Sequence, residues 1–270
     1  MTAIDDFVNY FTAVQDSDGW SRVLDSFARF VSPAPEARVL DVGCGPGALV
    51  RRFGKIAAHA EGCDSHPGMI ERATDIARRQ GATNTSYRVG ELPRLPYDEG
   101  AFDVVTATNV VFLQRDPPSA LREMARVCRP GGLVAMLNPS PKMSVAAATA
   151  YVDRQGVGGF NRQSFVNWAG VAERNHRFSA EWITSLFREA GLGGIDIVEK
   201  IDGLALFAKG ARLSRSGNAL RGLPNPRFGP GFGNPGRAKS DLLRLPTYRT
   251  NFPPPRYSVR SVSVSRAVTA

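Results

Sequence analysis

The sequence predicts an α/β fold, built on a seven-stranded sheet that is mostly parallel and carries helices on both faces. From residue 38 onward, short β-rich runs alternate with helical segments, a pattern typical of parallel strands joined by helices. The last two runs flank Ile201-Asp202-Gly203, and they predict a hairpin because Asp-Gly favours a tight turn. The last strand is therefore expected to be antiparallel.

Local patterns place each element. Strands are predicted at 38–42, 58–63, 85–89, 102–107, 133–137, 194–199 and 204–208. Apolar residues at helical spacing predict two helices within 3–31. Capping and stop residues predict three more: one capped by Ser65 and ending at Gly81, one over 119–128 that stops before Pro130-Gly131-Gly132, and one over 180–190 capped by Ser179.

The chain is expected to have three parts. Residues 1–35 form an N-terminal helical cap, residues 36–210 form the α/β domain with a lid at about 141–178, and residues 211–270 form a tail rich in Pro, Gly and Arg. The tail has no useful helical or strand periodicity, so it is predicted to be disordered. Its composition also raises the hypothesis of a translated frameshift or read-through product.

The formal net charge of +9 is unevenly distributed. The 211–270 segment holds eleven Lys and Arg residues against one acidic residue, Asp241, so the rest of the chain is close to neutral. A nucleic-acid-binding body is therefore not indicated. Contact with polyanions is expected only through the tail.

The cysteines and the N-terminus indicate the compartment. Cys44, Cys63 and Cys128 are far apart and form no C-x-x-C pair, so neither a disulfide framework nor a metal site is expected. The N-terminus lacks a basic segment followed by an apolar core, and no run approaches the ~18 apolar residues that span a membrane. These features predict a soluble, cytoplasmic protein.

The strongest chemical signal is a glycine-rich turn between a predicted strand and a helix, Asp41-Val42-Gly43-Cys44-Gly45-Pro46-Gly47. Glycines there allow positive φ and bring backbone N–H groups close to a ligand. By itself the loop is ambiguous, because a dinucleotide-binding loop of a dehydrogenase has a related pattern. A Walker-type phosphate loop is disfavoured, since the segment around Gly54-Lys55 lacks the required earlier glycine and the Ser or Thr.

The loop and the strand after it resemble a known family over roughly residues 39–209. Residues 41–47 resemble motif I of class I S-adenosylmethionine-dependent methyltransferases, in which an acidic residue stands two positions before the first glycine. Asp64 resembles the carboxylate that holds both ribose hydroxyls in that family. A carboxylate at a strand tip suits this role, because it can accept from two O–H donors at once. The resemblance implies a Rossmann-like fold and S-adenosyl-L-methionine as cofactor.

Further positions follow from the same resemblance. It implies that Glu91 accepts from the adenine amino group and that the Leu92 amide donates to the ring, although Asp is the usual residue at the first of these positions. Thr108 and Asn109 are expected to face the methionine part of the cofactor. The segment 121–132 matches the type 11, or UbiE-like, subfamily. The complete expected cofactor site is Asp41, Gly43, Cys44, Gly45, Gly47, Asp64, Ser65, Met69, Glu91, Leu92, Thr108 and Asn109.

The expected reaction is in-line methyl transfer to a small-molecule acceptor. The lid is expected near Phe165, Trp168 and Ala172, which have helical spacing. His176 and Arg177 are candidates for a base and an anion contact, but a structural role is favoured for both, so the catalytic residue stays unassigned. Two alternatives remain open: a nucleotide-linked oxidoreductase and a non-catalytic S-adenosylmethionine-binding protein.

Overall fold

The computed structural model describes residues 3–214, so the disorder predicted for the 211–270 tail concerns residues that lie almost wholly outside the described part. The strands are β1 (Arg38–Val42), β2 (His59–Asp64), β3 (Thr85–Val89), β4 (Phe102–Thr108), β5 (Cys128–Pro139), β6 (Leu192–Lys200) and β7 (Ala205–Arg212). The helices are α1 (Ala3–Asp16), α2 (Asp18–Val31), α3 (Ala48–Phe53), α4 (Pro67–Arg79), α5 (Pro117–Val127), α6 (Val145–Arg154), α7 (Gly159–Glu173) and α8 (Ala180–Glu189), with a short 3-10 helix at Val111–Leu113. No helix within residues 3–214 is long and apolar enough to cross a membrane.

The seven strands form one sheet in the order β3-β2-β1-β4-β5-β7-β6. All neighbouring pairs from β3 to β5 are parallel, whereas β7 runs antiparallel to both β5 and β6. The predicted Rossmann-like sheet with an antiparallel last strand is therefore confirmed. The chain direction across the sheet reverses between β1 and β4, so a crevice forms at their carboxyl ends, where such folds bind ligands.

The hairpin between β6 and β7 turns as predicted. Ile201, Asp202 and Gly203 all have positive φ, at 57°, 51° and 82°. Only glycine adopts this conformation without strain, and Asp is among the residues that tolerate it best. The turn brings the final strand back between β5 and β6.

Helix α2 packs against β7, in the antiparallel part of the sheet. Phe27 of α2 is fully buried, and its ring packs edge-on against Phe207 of β7 with the centroids 5.1 Å apart. Phe30 packs on the same ring, and its carbonyl accepts a hydrogen bond from Lys209. This attachment holds α2 in place and directs α1 toward the carboxyl ends of β1 and β2.

Helix α4 begins differently from the prediction. The N-cap is His66, with Pro67 in the first turn, and Ser65 is exposed and does not cap the helix. The reason is Asp64, whose Oδ1 accepts the His66 N–H at 2.9 Å and so turns the backbone one residue later than expected. By contrast, Ser179 caps α8 as predicted, accepting from the Trp182 N–H.

The boundary between α5 and β5 also differs from the prediction. Asp116 caps α5 through the Ser119 N–H, and the helix ends at Val127. Cys128 already belongs to β5, because it pairs with Phe102 of β4. The predicted stop at Pro130-Gly131-Gly132 therefore lies within an irregular part of a longer strand, where the register between β4 and β5 shifts.

Replacing Phe27 by Ala should lower the free energy of unfolding by roughly 3–5 kcal/mol, because a fully buried ring leaves a cavity. The matched change Phe30→Ala on the same helix should have a smaller effect, since that ring is only partly buried. Urea unfolding followed by circular dichroism measures both. Equal losses would show that the deeper burial of Phe27 adds nothing to the anchoring of α2.

Candidate cofactor site

The glycine-rich turn after β1 has a backbone that requires glycine. Gly43, Gly45 and Gly47 have φ of 68°, 53° and 79°. A Cβ at Gly43 would lie 2.2 Å from the Val110 side chain, which follows β4. The turn is also tied to β2, because the N–H groups of Gly43 and Cys44 both donate to the Cys63 carbonyl, at 2.7 and 3.1 Å. The sequence folds here into a loop whose backbone stays accessible to a closely approaching ligand.

Asp64, the last residue of β2, joins the two loops of the site. Its Oδ2 accepts the Gly45 N–H and its Oδ1 accepts the His66 N–H, each at 2.9 Å. An ionised carboxylate has about four acceptor positions, and these two bonds leave one on each oxygen. Asp64 can therefore hold the glycine loop and still accept from two hydroxyl donors.

Asp41 is a buried carboxyl group beside the same loop. It is 1% exposed, and its Oδ1 accepts a hydrogen bond from the Thr106 hydroxyl at 2.8 Å. Burial raises the pKa of Asp41 to about 7, the Thr106 hydrogen bond lowers it, and the nearby charge of Asp64 raises it further. Burial also raises the pKa of Asp64, against the lowering effect of its two backbone donors.

Neither of these acids forms a salt bridge with a Lys or Arg within residues 3–214. His66 lies beside Asp64, and its charge lowers the pKa of that carboxyl group. Two neighbouring carboxylates without a Lys or Arg partner favour a positively charged ligand, because a bound cation would offset both the burial and their mutual repulsion.

The other expected residues come from three further segments. The Gly90 N–H donates to the Asp64 carbonyl at 3.1 Å, which places the segment with Glu91 and Leu92 beside β2. Leu92 is buried and Glu91 is exposed. Thr108 ends β4 and pairs with Leu137 of β5.

Asn109 is in the left-handed region, with φ 58°, and its N–H donates to the Leu137 carbonyl. Its Oδ1 is buried without a hydrogen-bond partner among the described residues. Met69 is buried in the first turn of α4, whereas Ser65 is exposed. The structure therefore brings Asp41, the glycine loop and Asp64 together, and it places the segments of Leu92 and Asn109 next to them.

Sequence reasoning missed two residues that contact the glycine loop. The Gln15 carboxamide of α1 bonds to the Cys44 carbonyl and to the Ala48 N–H, and the Arg51 guanidinium donates to the Pro46 carbonyl at 2.7 Å. Arg51 comes shortly after the loop in the sequence, and this closeness could have indicated a contact with the loop. Gln15 lies 29 positions before Cys44, and no local pattern indicates it.

Two surface depressions lie away from this edge of the sheet. One, of about 340 Å³, lies between α8 and the start of β6 near Arg188 and Gly193, and another, of about 230 Å³, lies near Ala34 and Arg129. Neither contains a residue of the glycine loop. Among residues 3–214, no group of three or more His, Cys, Asp or Glu residues could hold a metal ion.

Comparison with known proteins supports this description of the site. Residues 40–136 match a family model described as a methyltransferase domain. An uncharacterized methyltransferase of Schizosaccharomyces pombe is 34% identical over 105 residues, which are 36% of this chain and 38% of that protein. The match thus spans little more than a third of the length of the curated relatives.

Solved structures share the fold. A Haloferax volcanii chain, solved in complex with the methyltransferase activator Trm112, superposes with a TM-score of 0.59 at 19% identity, covering 79% of this chain and 99% of that one. Phosphoethanolamine N-methyltransferase 2 of Haemonchus contortus, in complex with S-adenosyl-L-methionine, has a TM-score of 0.55 at 14% identity, covering 72% of this chain and 53% of that one.

The glycine loop, the carboxylate after β2 and the antiparallel last strand define a class I S-adenosylmethionine-dependent methyltransferase fold. Residues 40–136, less than half of the chain, are similar to the type 11 methyltransferase domain. S-adenosyl-L-methionine is the ligand of one of these solved structures, and it is therefore the candidate cofactor for this site.

The residues present fit this cofactor. Its sulfonium and ammonium groups are positive, as the unpaired carboxylates of Asp41 and Asp64 require, and its ribose has two hydroxyl donors for the open acceptor positions of Asp64. The positive-φ glycines remove the side chains that would block its approach to the loop.

The raised pKa of Asp41 predicts a pH-dependent stability of the ligand-free protein. Below about pH 4 the carboxyl group is protonated in both the folded and the unfolded state. Between there and about pH 7 only the folded state keeps the proton, so ionisation favours unfolding and stability falls as the pH rises. The free energy of unfolding of the wild type should therefore fall, relative to that of Asp41→Asn, by up to about 4 kcal/mol from pH 4 to pH 8.

Urea unfolding of the wild type and of Asp41→Asn across this pH range measures the difference between their free energies of unfolding. The contributions of groups that titrate alike in both proteins cancel in this difference. A constant difference would mean that Asp41 titrates in its ordinary range.

Proposed function

We propose that this chain transfers the methyl group of S-adenosyl-L-methionine to a small-molecule acceptor by in-line displacement. The acceptor's nucleophilic atom forms a bond to the methyl carbon while the sulfur–methyl bond breaks, and the electron pair of that bond leaves with sulfur in S-adenosylhomocysteine. The observation that carries the proposal is the pair of carboxylates, the buried Asp41 and the partly buried Asp64, beside a glycine loop with positive φ.

The bound cofactor supplies an already activated methyl group, because its sulfur carries a positive charge. The protein therefore has to hold and orient the cofactor and the acceptor, and it has to exclude water from the site. Asp64 holds the ribose, Asp41 offsets the positive charge, and the loop after β3 encloses the adenine between Glu91 and Leu92. Thr108 and Asn109, at the end of β4, contact the methionine part.

The acceptor side is enclosed by aromatic side chains from two parts of the chain. Trp20 of α2 packs edge-on against Trp168 of α7 at 5.1 Å, and Tyr10 of α1 accepts a hydrogen bond from Asn167 of α7 at 3.2 Å. The Trp168 indole N–H is buried without a partner among residues 3–214. These contacts support α7 as the predicted lid, and they favour an uncharged acceptor over a polyanion.

The structure gives the two candidate catalytic side chains structural contacts. The ring of His176 stacks on Phe178. The backbone N–H of His176 donates to the Phe112 carbonyl. The Arg177 guanidinium donates to the Met143 carbonyl at 2.9 Å. Neither contact supports a role as general base or anion site, so we assign no catalytic residue.

The oxidoreductase alternative is less compatible with the site. A carboxylate in the place of Asp64 suits the ribose of a dinucleotide as well. The difference therefore rests on Asp41, an acidic residue two positions before Gly43 that resembles methyltransferase motif I and that dinucleotide-binding loops lack. A protein that only binds S-adenosylmethionine would keep every feature described here, and it differs in forming no S-adenosylhomocysteine with any acceptor.

Calorimetric titration of the full chain with S-adenosyl-L-methionine, and separately with NADH, tests the proposed cofactor role of Asp64. The wild type should bind the first ligand, and Asp64→Ala should lose at least about a hundredfold in affinity, because hydrogen bonds to a charged group disappear. Asp196→Ala, which removes an exposed carboxylate on β6, is the control and should bind as the wild type does.

Binding of NADH in place of S-adenosylmethionine would overturn the proposal in favour of an oxidoreductase. Binding that Asp64→Ala leaves unchanged would remove Asp64 from the site. A screen of acceptors for S-adenosylhomocysteine formation then separates an enzyme from a binding protein.

A further inference from the structure

Gln15 connects α1 directly to the glycine loop. Its Nε2 donates to the Cys44 carbonyl at 3.1 Å, and its Oε1 accepts the Ala48 N–H at 2.9 Å. The carboxamide thus bonds on both sides of the loop, at Cys44 before Gly45 and at Ala48 after Gly47. A Cβ at Gly45 would lie 3.0 Å from Nε2, so the amide group lies directly on the loop backbone.

The same helix is attached to the other side of the cofactor crevice. The ring of Phe7 lies 5.3 Å from that of His66, which follows Asp64. The Arg72 guanidinium of α4 donates to Asn9 at 2.8 Å and to the Thr12 hydroxyl at 3.2 Å. Helix α1 therefore contacts both loops that carry the expected cofactor residues.

The contacts of Gln15 with the glycine loop differ in kind from those of Arg72 with α1. The bonds of Arg72 to α1 are exposed or partly buried side-chain contacts on the outer face of α4. The bonds of Gln15 engage backbone groups of the loop itself, so they fix the position of α1 relative to the groups that would contact the cofactor. Opening α1 at the glycine loop requires both of these bonds to break together.

We propose that Gln15 is a positioning residue that latches α1 across the cofactor crevice, so that the cofactor binds and leaves only while the latch is open. The inference rests on the proposed function in that the ligand is taken to be S-adenosylmethionine. Loss of two hydrogen bonds shifts the balance between closed and open forms by roughly ten- to a hundredfold, and both exchange rates should rise by that factor.

The test measures exchange of tritium-labelled S-adenosyl-L-methionine with the full chain by rapid filtration. Gln15→Met keeps the length of the side chain and removes both bonds. Gln15→Glu keeps the acceptor for Ala48 and loses the donor for Cys44. Gln80→Met is the matched control, because Gln80 is exposed at the carboxyl end of α4, away from the contacts of Arg72 with α1.

In Gln15→Met, the association and dissociation rate constants should both rise at least about tenfold, with the dissociation constant changed by less than about threefold. Gln15→Glu should also raise both rates, and Gln80→Met should match the wild type. Unchanged rates in Gln15→Met overturn the latch. A rise in the dissociation rate alone also overturns it, since that result identifies Gln15 as a direct cofactor contact.

Hydrogen exchange in the ligand-free protein separates this inference from the proposed function. If the wild type binds no S-adenosylmethionine, the proposed function fails. The latch is then tested by the exchange rates of the backbone amides of α1 and Ala48 in the ligand-free protein. Faster exchange there in Gln15→Met, but not in Gln80→Met, supports the latch. Equal exchange in the two variants and the wild type overturns it.

Discussion

The carboxylate of Asp64 is the interaction on which the cofactor site depends. By accepting the N–H groups of Gly45 and His66, it fixes the loop after β1 against the loop after β2. Charge-assisted hydrogen bonds of this kind are about twice as strong as neutral ones. The glycine loop needs such an external tie, because its positive-φ residues have more conformational freedom than any others in an unfolded chain.

The arrangement concentrates negative charge where a domain would ordinarily avoid it. Asp41 and Asp64 are both removed from water near each other, and burial raises the pKa of each. A site built this way is destabilised when empty and stabilised by a positive ligand, which is the relation expected between a protein and a sulfonium cofactor.

Much of the architecture followed from sequence pattern, because it depends on local signals. The β-rich runs, the Asp-Gly turn at Asp202-Gly203 and the cap at Ser179 each act within a few residues, and each is found where it was predicted. Ser65 does not cap α4, because the Asp64 side chain one position earlier accepts the His66 N–H and the helix begins only at Pro67. Cys128 was assigned to a helix although pairing with Phe102, a contact made across the sheet, places it in β5.

The residues of the candidate site differ in the same way: those marked by a local motif were predictable, and those brought together by packing were not. Motif resemblance indicated Asp41, the glycines and Asp64, and the structure brings these residues together. The remaining expected residues stay predictions. Gln15 was not predictable, because its contact with Cys44 joins segments that only the packing of α1 brings together. Polar contacts between distant segments leave no periodicity in the sequence.

The position of β7 also constrains how the domain is made on the ribosome. This last strand lies between β5 and β6, so the outer edge of β5 has no neighbour while α6, α7, α8 and β6 are being synthesised. An open edge strand can pair with other chains, and it is most hazardous during this interval. The nascent domain therefore passes through a vulnerable stage that ends only when Ala205–Arg212 has emerged, and the speed of translation across the lid sets how long that stage lasts.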